Sequence, residues 1–192
     1  MSTAVLTEPI VKASPRFKAR VAGALYLLSV VMAAFTELFA RGRWNIAGGP
    51  VAVGIMVVVT LLLYDIFKPV NRGLSLLAAF FGLVGLTFEA IRWQPQGVNV
   101  AIVFAGVYCL LIGYLIIRST FLPRMLGGLM VIGGLSWLTY VSNPLVNFLS
   151  PYNLACGLLG EALVFLWLLV MGVNVSGVGG ESKPLGQPSV AA

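Results

Sequence analysis

The chain has 192 residues, of which 59% are hydrophobic and 9% are charged. A soluble domain carries about 25% charged residues, so this composition argues against a soluble fold and predicts a membrane protein. The net charge of +6 does not indicate nucleic acid binding, because hydrophobic runs separate the basic residues. The chain has no histidine, and Cys109 and Cys156 form no CxxC pair, so we expect neither a metal site nor a cofactor.

The chain begins with a predicted cytoplasmic tail, residues 1–13, and Ser14-Pro15 indicates the start of the first helix. The apolar run that follows has no clear cleavage site, so we interpret it as a retained helix and not as a signal peptide. Six apolar runs each approach the length that crosses a hydrocarbon core of roughly 30 Å. The predicted spans are Val21–Ala40, Val51–Phe67, Leu74–Ile91, Val98–Ile117, Met125–Val141 and Asn153–Val173. The predicted fold is therefore an all-α bundle of six transmembrane helices, residues 14–173.

Turn residues separate these spans. The predicted connections are RGRWNIAGGP, KPVNRG, RWQPQG, RSTFLPR and SNPLVNFLSPY, of which the last is interpreted as an outer loop. The fifth span is short and rich in glycine, so it could instead be tilted or re-entrant. Residues 174–192 are predicted to be a second cytoplasmic tail.

The basic residues predict the orientation. With both termini inside, nine lysines and arginines are cytoplasmic and three are outside, which the positive-inside rule favours. The nine are Lys12, Arg16, Lys18, Arg20, Lys68, Arg72, Arg118, Arg124 and Lys183. Several aromatic residues then fall near the outer interface as a belt, namely Trp44, Trp93, Trp137, Tyr140 and Tyr152. The basic inner face is expected to attract anionic lipids.

Three glutamates lie in the outer half of predicted spans, at the level of the three outer arginines. Glu37 precedes Arg41 by four residues and Glu89 precedes Arg92 by three, so each has a basic residue on its own helical face. Small residues precede both glutamates on those faces, which predicts that they point into the bundle.

Glu161 has no such local partner. It must be protonated, hydrogen-bonded to another helix, or paired with an arginine of the first or third helix, and we favour the last. The predicted polar cluster is Glu37, Arg41, Arg43, Glu89, Arg92 and Glu161. Its simpler interpretation is a clasp that joins helices one, three and six. The alternative is a proton- or cation-handling site that opens to the outer side.

Polar residues also mark the predicted inner ends of the spans. Asp65 and Lys68 are expected to pair at the interface. The remaining junction residues are Asn71, Arg72, Arg118 and Arg124. Tyr26, Tyr64 and Tyr114 are interpreted as inner-interface anchors. Cys109 is interpreted as part of a small-residue stripe on the fourth helix, with Ala105 and Gly113.

Five stretches carry a resemblance to a known family. They are RVAGALYLL, FTELFAR, LLLYDIFKPVNRGLSLLAAFF, YCLLIGYLIIRSTFLPRMLGG and GEALVFLWLLVMGVN. The chain resembles small bacterial integral membrane proteins grouped as domain-of-unknown-function family 4386. The resemblance implies a bacterial cytoplasmic membrane location and no activity. It implies signature positions at Glu37, Pro69, Asn71, Arg72, Arg118, Pro123, Arg124 and Glu161. This chain differs in its shorter outer loops and in Tyr108, where the resemblance implies a histidine.

No nucleotide loop, metalloprotease motif or catalytic set of nucleophile, base and acid occurs in the sequence. The first hypothesis is therefore a non-enzymatic accessory subunit or homo-oligomer that works by helix packing. The second is a small-solute or proton-coupled transporter that uses Glu161. A membrane enzyme acting on lipid ranks below both, because only the carboxylates favour it.

Overall fold

The computed structural model describes the backbone of residues 14–39 and 43–174, and the side chains of residues 14–32 and 49–174. This part of the chain is helical and contains no strand, which confirms the all-α class there. Its α-helices are α1 (Pro15–Phe39), α2 (Arg43–Phe67), α3 (Arg72–Ile91), α4 (Val100–Arg118), α5 (Arg124–Leu138), α6 (Asn143–Leu149) and α7 (Tyr152–Val170). Two 3-10 helices are present, Pro95–Gly97 and Thr139–Val141.

Several helices are long and apolar enough to cross a membrane. Within the described residues these segments are Gly49–Phe67, Arg72–Ile91, Val100–Arg118, Arg124–Val141 and Tyr152–Val170. Five such segments characterise a multi-pass membrane protein. The fifth predicted span is among them, because the 3-10 turn that follows α5 extends it to 18 residues.

The six long helices form a closed ring. Each packs against the next long helix along the chain, and α7 packs back against α1. The start of α1 lies beside the end of α7, where Arg16 Nε donates to the carbonyl oxygen of Val173 at 3.4 Å. Successive helices of the ring alternate in direction, so that Lys18 near the start of α1 pairs with Asp65 near the end of α2. We call the end where α1 begins and α7 ends the basic end, and the other the far end.

Side chains cap two of the helices, and the cap at Ser14 was predicted from the sequence. The Ser14 hydroxyl accepts from the N–H of Phe17 at 3.3 Å, at the start of α1. The Asn71 side chain accepts from the N–H of Leu74 at 2.9 Å, which caps α3. These side chains satisfy backbone donors that have no partner within the helix.

Two predicted loops are partly helical. The sequence predicted a turn over residues 41–50, but α2 begins at Arg43 and includes Pro50. A proline removes only one backbone donor, and an apolar segment in lipid satisfies its remaining backbone groups best by staying helical. The predicted outer loop contains α6, which has a proline in its first turn, the position where proline suits a helix.

The glycines of α5 allow two helices to pack closely. An ideal Cβ placed on Gly127 would lie 2.6 Å from the carbonyl oxygen of Gly113 on α4, and one on Gly134 would lie 2.8 Å from that of Gly106. Distances this short exclude any side chain at these positions. The fifth predicted span is rich in glycine because these glycines form its packing surface against α4.

The interior of the ring is filled with apolar side chains toward the basic end. Fully buried members include Leu63, Phe67, Leu115, Ile116 and Leu168, near the ends of α2, α4 and α7. The other half of the ring, toward the far end, is less completely filled and contains the cavity described below.

Adjacent glycines of α5 provide a test of this packing. Gly127→Ala is expected to lower the thermal unfolding midpoint in detergent, by the equivalent of about 1–3 kcal/mol, because the methyl group would overlap α4. Gly128→Ala is the control, since a Cβ there meets nothing within 4 Å. It should leave the midpoint unchanged or raise it slightly, because alanine favours the helix by up to about 1 kcal/mol. Equal effects of the two substitutions would contradict the close approach of α4 and α5.

Candidate functional site

Glu161 lies at the midpoint of α7 and receives hydrogen bonds from three other helices. Trp137 Nε1 on α5 donates to Oε1 at 2.6 Å. Cys109 Sγ on α4 donates to the same oxygen at 3.1 Å. The Tyr26 hydroxyl on α1 donates to Oε2. These four residues, named here the Glu161 cluster, join α1, α4, α5 and α7.

Two glycines bring the aromatic donors to the carboxylate. Gly157 lies one turn before Glu161, and a Cβ there would be 2.6 Å from the Trp137 ring, so the indole occupies that space. Gly23 lies one turn before Tyr26 and lets α1 approach α7, because its Cβ would be 2.6 Å from the carbonyl oxygen of Phe165. The absence of side chains at these two positions therefore determines where the donors lie.

The Tyr26 ring is held by stacking. It lies face to face on Phe165 with centroids 3.6 Å apart and an interplanar angle of 8°. Both rings are almost completely buried, at 4% and 1% exposure. Phe165 follows Glu161 by one helical turn, so the stack holds the Tyr26 hydroxyl beside the carboxylate.

The donor set suits an ionised carboxylate. A carboxylate only accepts hydrogen bonds, and each partner here has a hydrogen to donate. Hydrogen bonds to a charged group are roughly twice as strong as those between neutral groups, and this offsets part of the cost of a charge inside the membrane. None of the three donors is charged, so no group of the cluster would neutralise an ionised Glu161.

A cavity of about 610 Å³ reaches Glu161 from the far end. Glu89 and Arg92 on α3 lie in its wall with Glu161, together with Gly49 and Pro50 at the far-end part of α2. Its remaining wall is mostly apolar, consisting of Val30, Ala52, Val53, Met56, Leu86 and Leu158 among other residues. The structure thus brings together three members of the predicted polar cluster, Glu89, Arg92 and Glu161, along one space.

The predicted pairing of Glu161 with an arginine stays a prediction, because two of the candidate arginines lie outside the described side chains. Within the described part of the chain, the ion pair present is Lys18–Asp65, and the partners of Glu161 are neutral. The i+3 pairing of Glu89 with Arg92 also stays a prediction. Arg92 leaves the helix in a left-handed conformation, with φ of 51°, so helical spacing no longer sets its position. The side chains of Glu37, Arg41 and Arg43 lie outside the described residues.

The predicted inner-face residues all lie at the basic end. Asp65 pairs with Lys18 of α1 and not with Lys68 as predicted. The reason is that Lys68 follows the last residue of α2, whereas Lys18 lies on the neighbouring antiparallel helix. Arg72 and Arg124 begin α3 and α5, and Arg118 ends α4 with its guanidinium carbon 5.7 Å from the Tyr114 ring centroid.

Sequence reasoning assigned other roles to the three donors. Tyr26 was interpreted as an inner-interface anchor and Trp137 as part of an outer belt, but they are 4% and 7% exposed and contact Glu161. Cys109 was expected only to fill space in a helix contact. Tyr108, at the position where a histidine was implied, is also buried and lines a second cavity, of about 140 Å³, together with Glu89. One sequence feature could have indicated these contacts, namely a glycine one turn before each of Tyr26 and Glu161.

Comparisons with known proteins give a family without an assigned function. A family model described as "Domain of unknown function (DUF4386)" matches residues 86–172, which confirms the resemblance over that stretch, including Arg118, Pro123, Arg124 and Glu161. An uncharacterized protein of the archaeon Archaeoglobus fulgidus is similar, with 27% identity over 146 residues, which are 70% of this chain and 88% of that protein. No solved structure matches the chain.

The donors of the cluster can be tested one at a time. Tyr26→Phe retains the stacked ring and removes the hydroxyl, so it should cost about 1–3 kcal/mol of stability by leaving a buried acceptor short of a partner. The readout is the thermal unfolding midpoint in detergent, with Tyr114→Phe, at a 44% exposed position, as the control. In a Glu161→Ala background the same substitution should cost much less, because the acceptor is gone. Additive effects would show that Tyr26 acts independently of Glu161.

Proposed function

We propose that this protein is a six-span membrane carrier that binds a small organic cation beside Glu161. The observation that carries the proposal is an acceptor-only carboxylate, held by three neutral donors at mid-helix, in the wall of a cavity of about 610 Å³. Ionisable residues inside membrane spans commonly mark substrate or ion pathways. The charged residues described in its wall are Glu89, Glu161 and Arg92, and their formal charges sum to a net negative value, which favours a cation.

The cavity wall suggests the ligand class. Glu161 and Glu89 supply two carboxylates, and apolar side chains such as Val53, Met56 and Leu158 form much of the remaining surface. Pockets of this kind bind apolar groups through their walls and orient the ligand through a few polar groups. A small primary amine with an apolar substituent matches both features, with its ammonium group on Glu161.

Exchange of a proton for the bound amine is part of the same proposal. Glu161 is the charged member of its cluster, so it is the group that would bind the proton when the amine leaves. This assigns it the titrating role in a proton-coupled carrier. Tyr26, Cys109 and Trp137 would hold the carboxyl group in place in both states and act as positioning residues.

The accessory-subunit hypothesis is the weaker alternative. It relied on small-residue faces, and the close contacts of Gly106, Gly113, Gly127 and Gly134 are made within this chain. It also relied on arginines that neutralise Glu161, whereas the described partners are neutral. Association with other subunits or with a second copy is a separate proposal, and it would use lipid-facing apolar residues. We further propose that the protein is not an enzyme.

The proposed topology places both termini in the cytoplasm of a prokaryotic cell, with the bacterial inner membrane as the expected location. Helix α1 has 25 residues and would be about 37 Å long, which is enough to serve as the first of six spans. The side chains at the basic end include Arg16, Lys18, Arg20, Lys68, Arg72, Arg118 and Arg124. The positive-inside rule therefore assigns this end to the cytoplasm and opens the cavity to the outside.

Binding of amines tests the proposal. Butylammonium and phenethylammonium should raise the unfolding midpoint of the purified protein, whereas butanol and phenethyl alcohol should not, because only the ammonium compounds carry a charge. Glu161→Gln should weaken ammonium binding at least about tenfold, since a hydrogen bond between charged groups is worth roughly 1.5–3 kcal/mol. Glu89→Gln is the comparison at the exposed wall and should weaken binding less. Equal stabilisation by the alcohols, or unchanged binding to Glu161→Gln, would contradict the proposal.

Orientation can be tested by cysteine labelling in intact cells. In a Cys156→Ala background, Phe148→Cys at the far end should react with a membrane-impermeant maleimide, because Phe148 is 84% exposed. Thr120→Cys, at the basic end, should react only after the membrane is permeabilised. Cys109 is 1% exposed and serves as the internal unlabelled site. The reverse pattern of labelling would overturn the proposed orientation.

A further inference from the structure

Another cavity, of about 630 Å³, lies at the basic end and is separate from the Glu161 cluster. Three segments form it: the start of α1, the end of α7, and the connection between α4 and α5. The geometry points to a binding site for the headgroup of an anionic phospholipid, with Arg16 and Arg20 as its phosphate ligands. This inference does not depend on which solute occupies the carboxylate cavity.

The three segments are held together by hydrogen bonds across the chain. Arg16 Nε donates to the carbonyl oxygen of Val173 at 3.4 Å, and an Arg20 terminal nitrogen donates to that of Val170 at 3.2 Å. The N–H of Asn174 donates to the carbonyl oxygen of Phe121 at 3.2 Å, which attaches the α4–α5 connection. The cavity therefore has walls that are fixed relative to one another.

Gly172 is needed where α7 meets Arg16. Its φ of 68° is a left-handed conformation that ends the helix, and a Cβ there would lie 2.9 Å from Arg16 Cγ. The chain turns at this glycine and leaves room for the arginine stem. Arg16 is thereby directed along the end of α7 and into the cavity wall.

The charge of the cavity is positive. Arg16 and Arg20 line it, and none of the described residues that line it is acidic. Each guanidinium has five N–H donors and uses one of them in the contacts given above, so donors remain for a ligand. Two guanidinium groups one helical turn apart suit the oxygens of a phosphate group, which arginine binds through paired hydrogen bonds.

The surroundings favour a lipid over a free anion. Trp167 lies in the wall, and the adjoining Val170 and Met171 are 64% and 54% exposed apolar residues at the end of a candidate span. Tryptophan typically lies at the membrane interface, where headgroups and acyl chains meet. A phosphate bound by the two arginines would thus have its acyl chains beside the exposed apolar face of α7, which includes Leu163 and Leu166.

The test is lipid binding by the full chain in detergent. Short-chain phosphatidylglycerol should raise the unfolding midpoint and appear as a bound adduct in native mass spectrometry, and phosphatidylcholine of equal chain length should do neither. Arg16→Gln combined with Arg20→Gln should weaken phosphatidylglycerol binding at least about tenfold, since each arginine contact to a charged group is worth roughly 1.5–3 kcal/mol.

The control removes the same charge elsewhere at the basic end. Arg72→Gln combined with Arg124→Gln should leave phosphatidylglycerol binding within about twofold of the unmodified protein, since neither residue lines the cavity. Equal losses in the two double variants would overturn the site in favour of diffuse attraction to a basic surface. Stabilisation by inorganic phosphate alone, to the same extent, would overturn the assignment to a lipid. If the first double variant does not fold, phosphatidylglycerol binding is measured with Arg20→Gln alone. Unchanged binding to that variant would overturn the site.

Discussion

The structure depends on how one carboxylate is satisfied inside an apolar bundle. Glu161 lies at the middle of α7, and Tyr26, Cys109 and Trp137 donate hydrogen bonds to it. Because these donors come from three other helices, the same hydrogen bonds that satisfy Glu161 also specify how α1, α4, α5 and α7 pack. A charge that is costly in lipid thereby becomes a constraint on the arrangement of most of the ring.

Neutral donors and arginines would affect the charge of Glu161 differently. A guanidinium beside Glu161 would cancel its charge and produce an inert clasp, whereas indole, thiol and hydroxyl groups leave the charge in place. The cavity of about 610 Å³ then has a negative group at its inner limit and apolar walls around it. This combination distinguishes a site that can attract a cation from a contact that only joins helices.

The bundle is also asymmetric along its axis. Large apolar side chains fill it near the basic end, and cross-chain hydrogen bonds of Arg16 and Arg20 hold α1 to the end of α7. Toward the far end, α2 and α3 enclose the open space beside Glu161. The space beside Glu161 and the cavity at the basic end are therefore separate, with buried apolar side chains between them.

The sequence by itself determined the features that depend on neighbours along the chain. Apolar run length predicted the spans, and Ser14 marked a helix start that the structure confirms. It also identified Glu161 as an acid in need of a partner. Even the fifth span, whose glycines made it doubtful, was present at the predicted place.

Only the tertiary structure decided what Glu161 contacts. Its donors are 135, 52 and 24 residues away in the chain, and helical periodicity relates residues only three or four positions apart. Attraction between opposite charges made an arginine the natural expectation. Which faces meet was instead set by Gly23 and Gly157, because the space left by a missing side chain can be identified as a contact only once the neighbouring helix is in place.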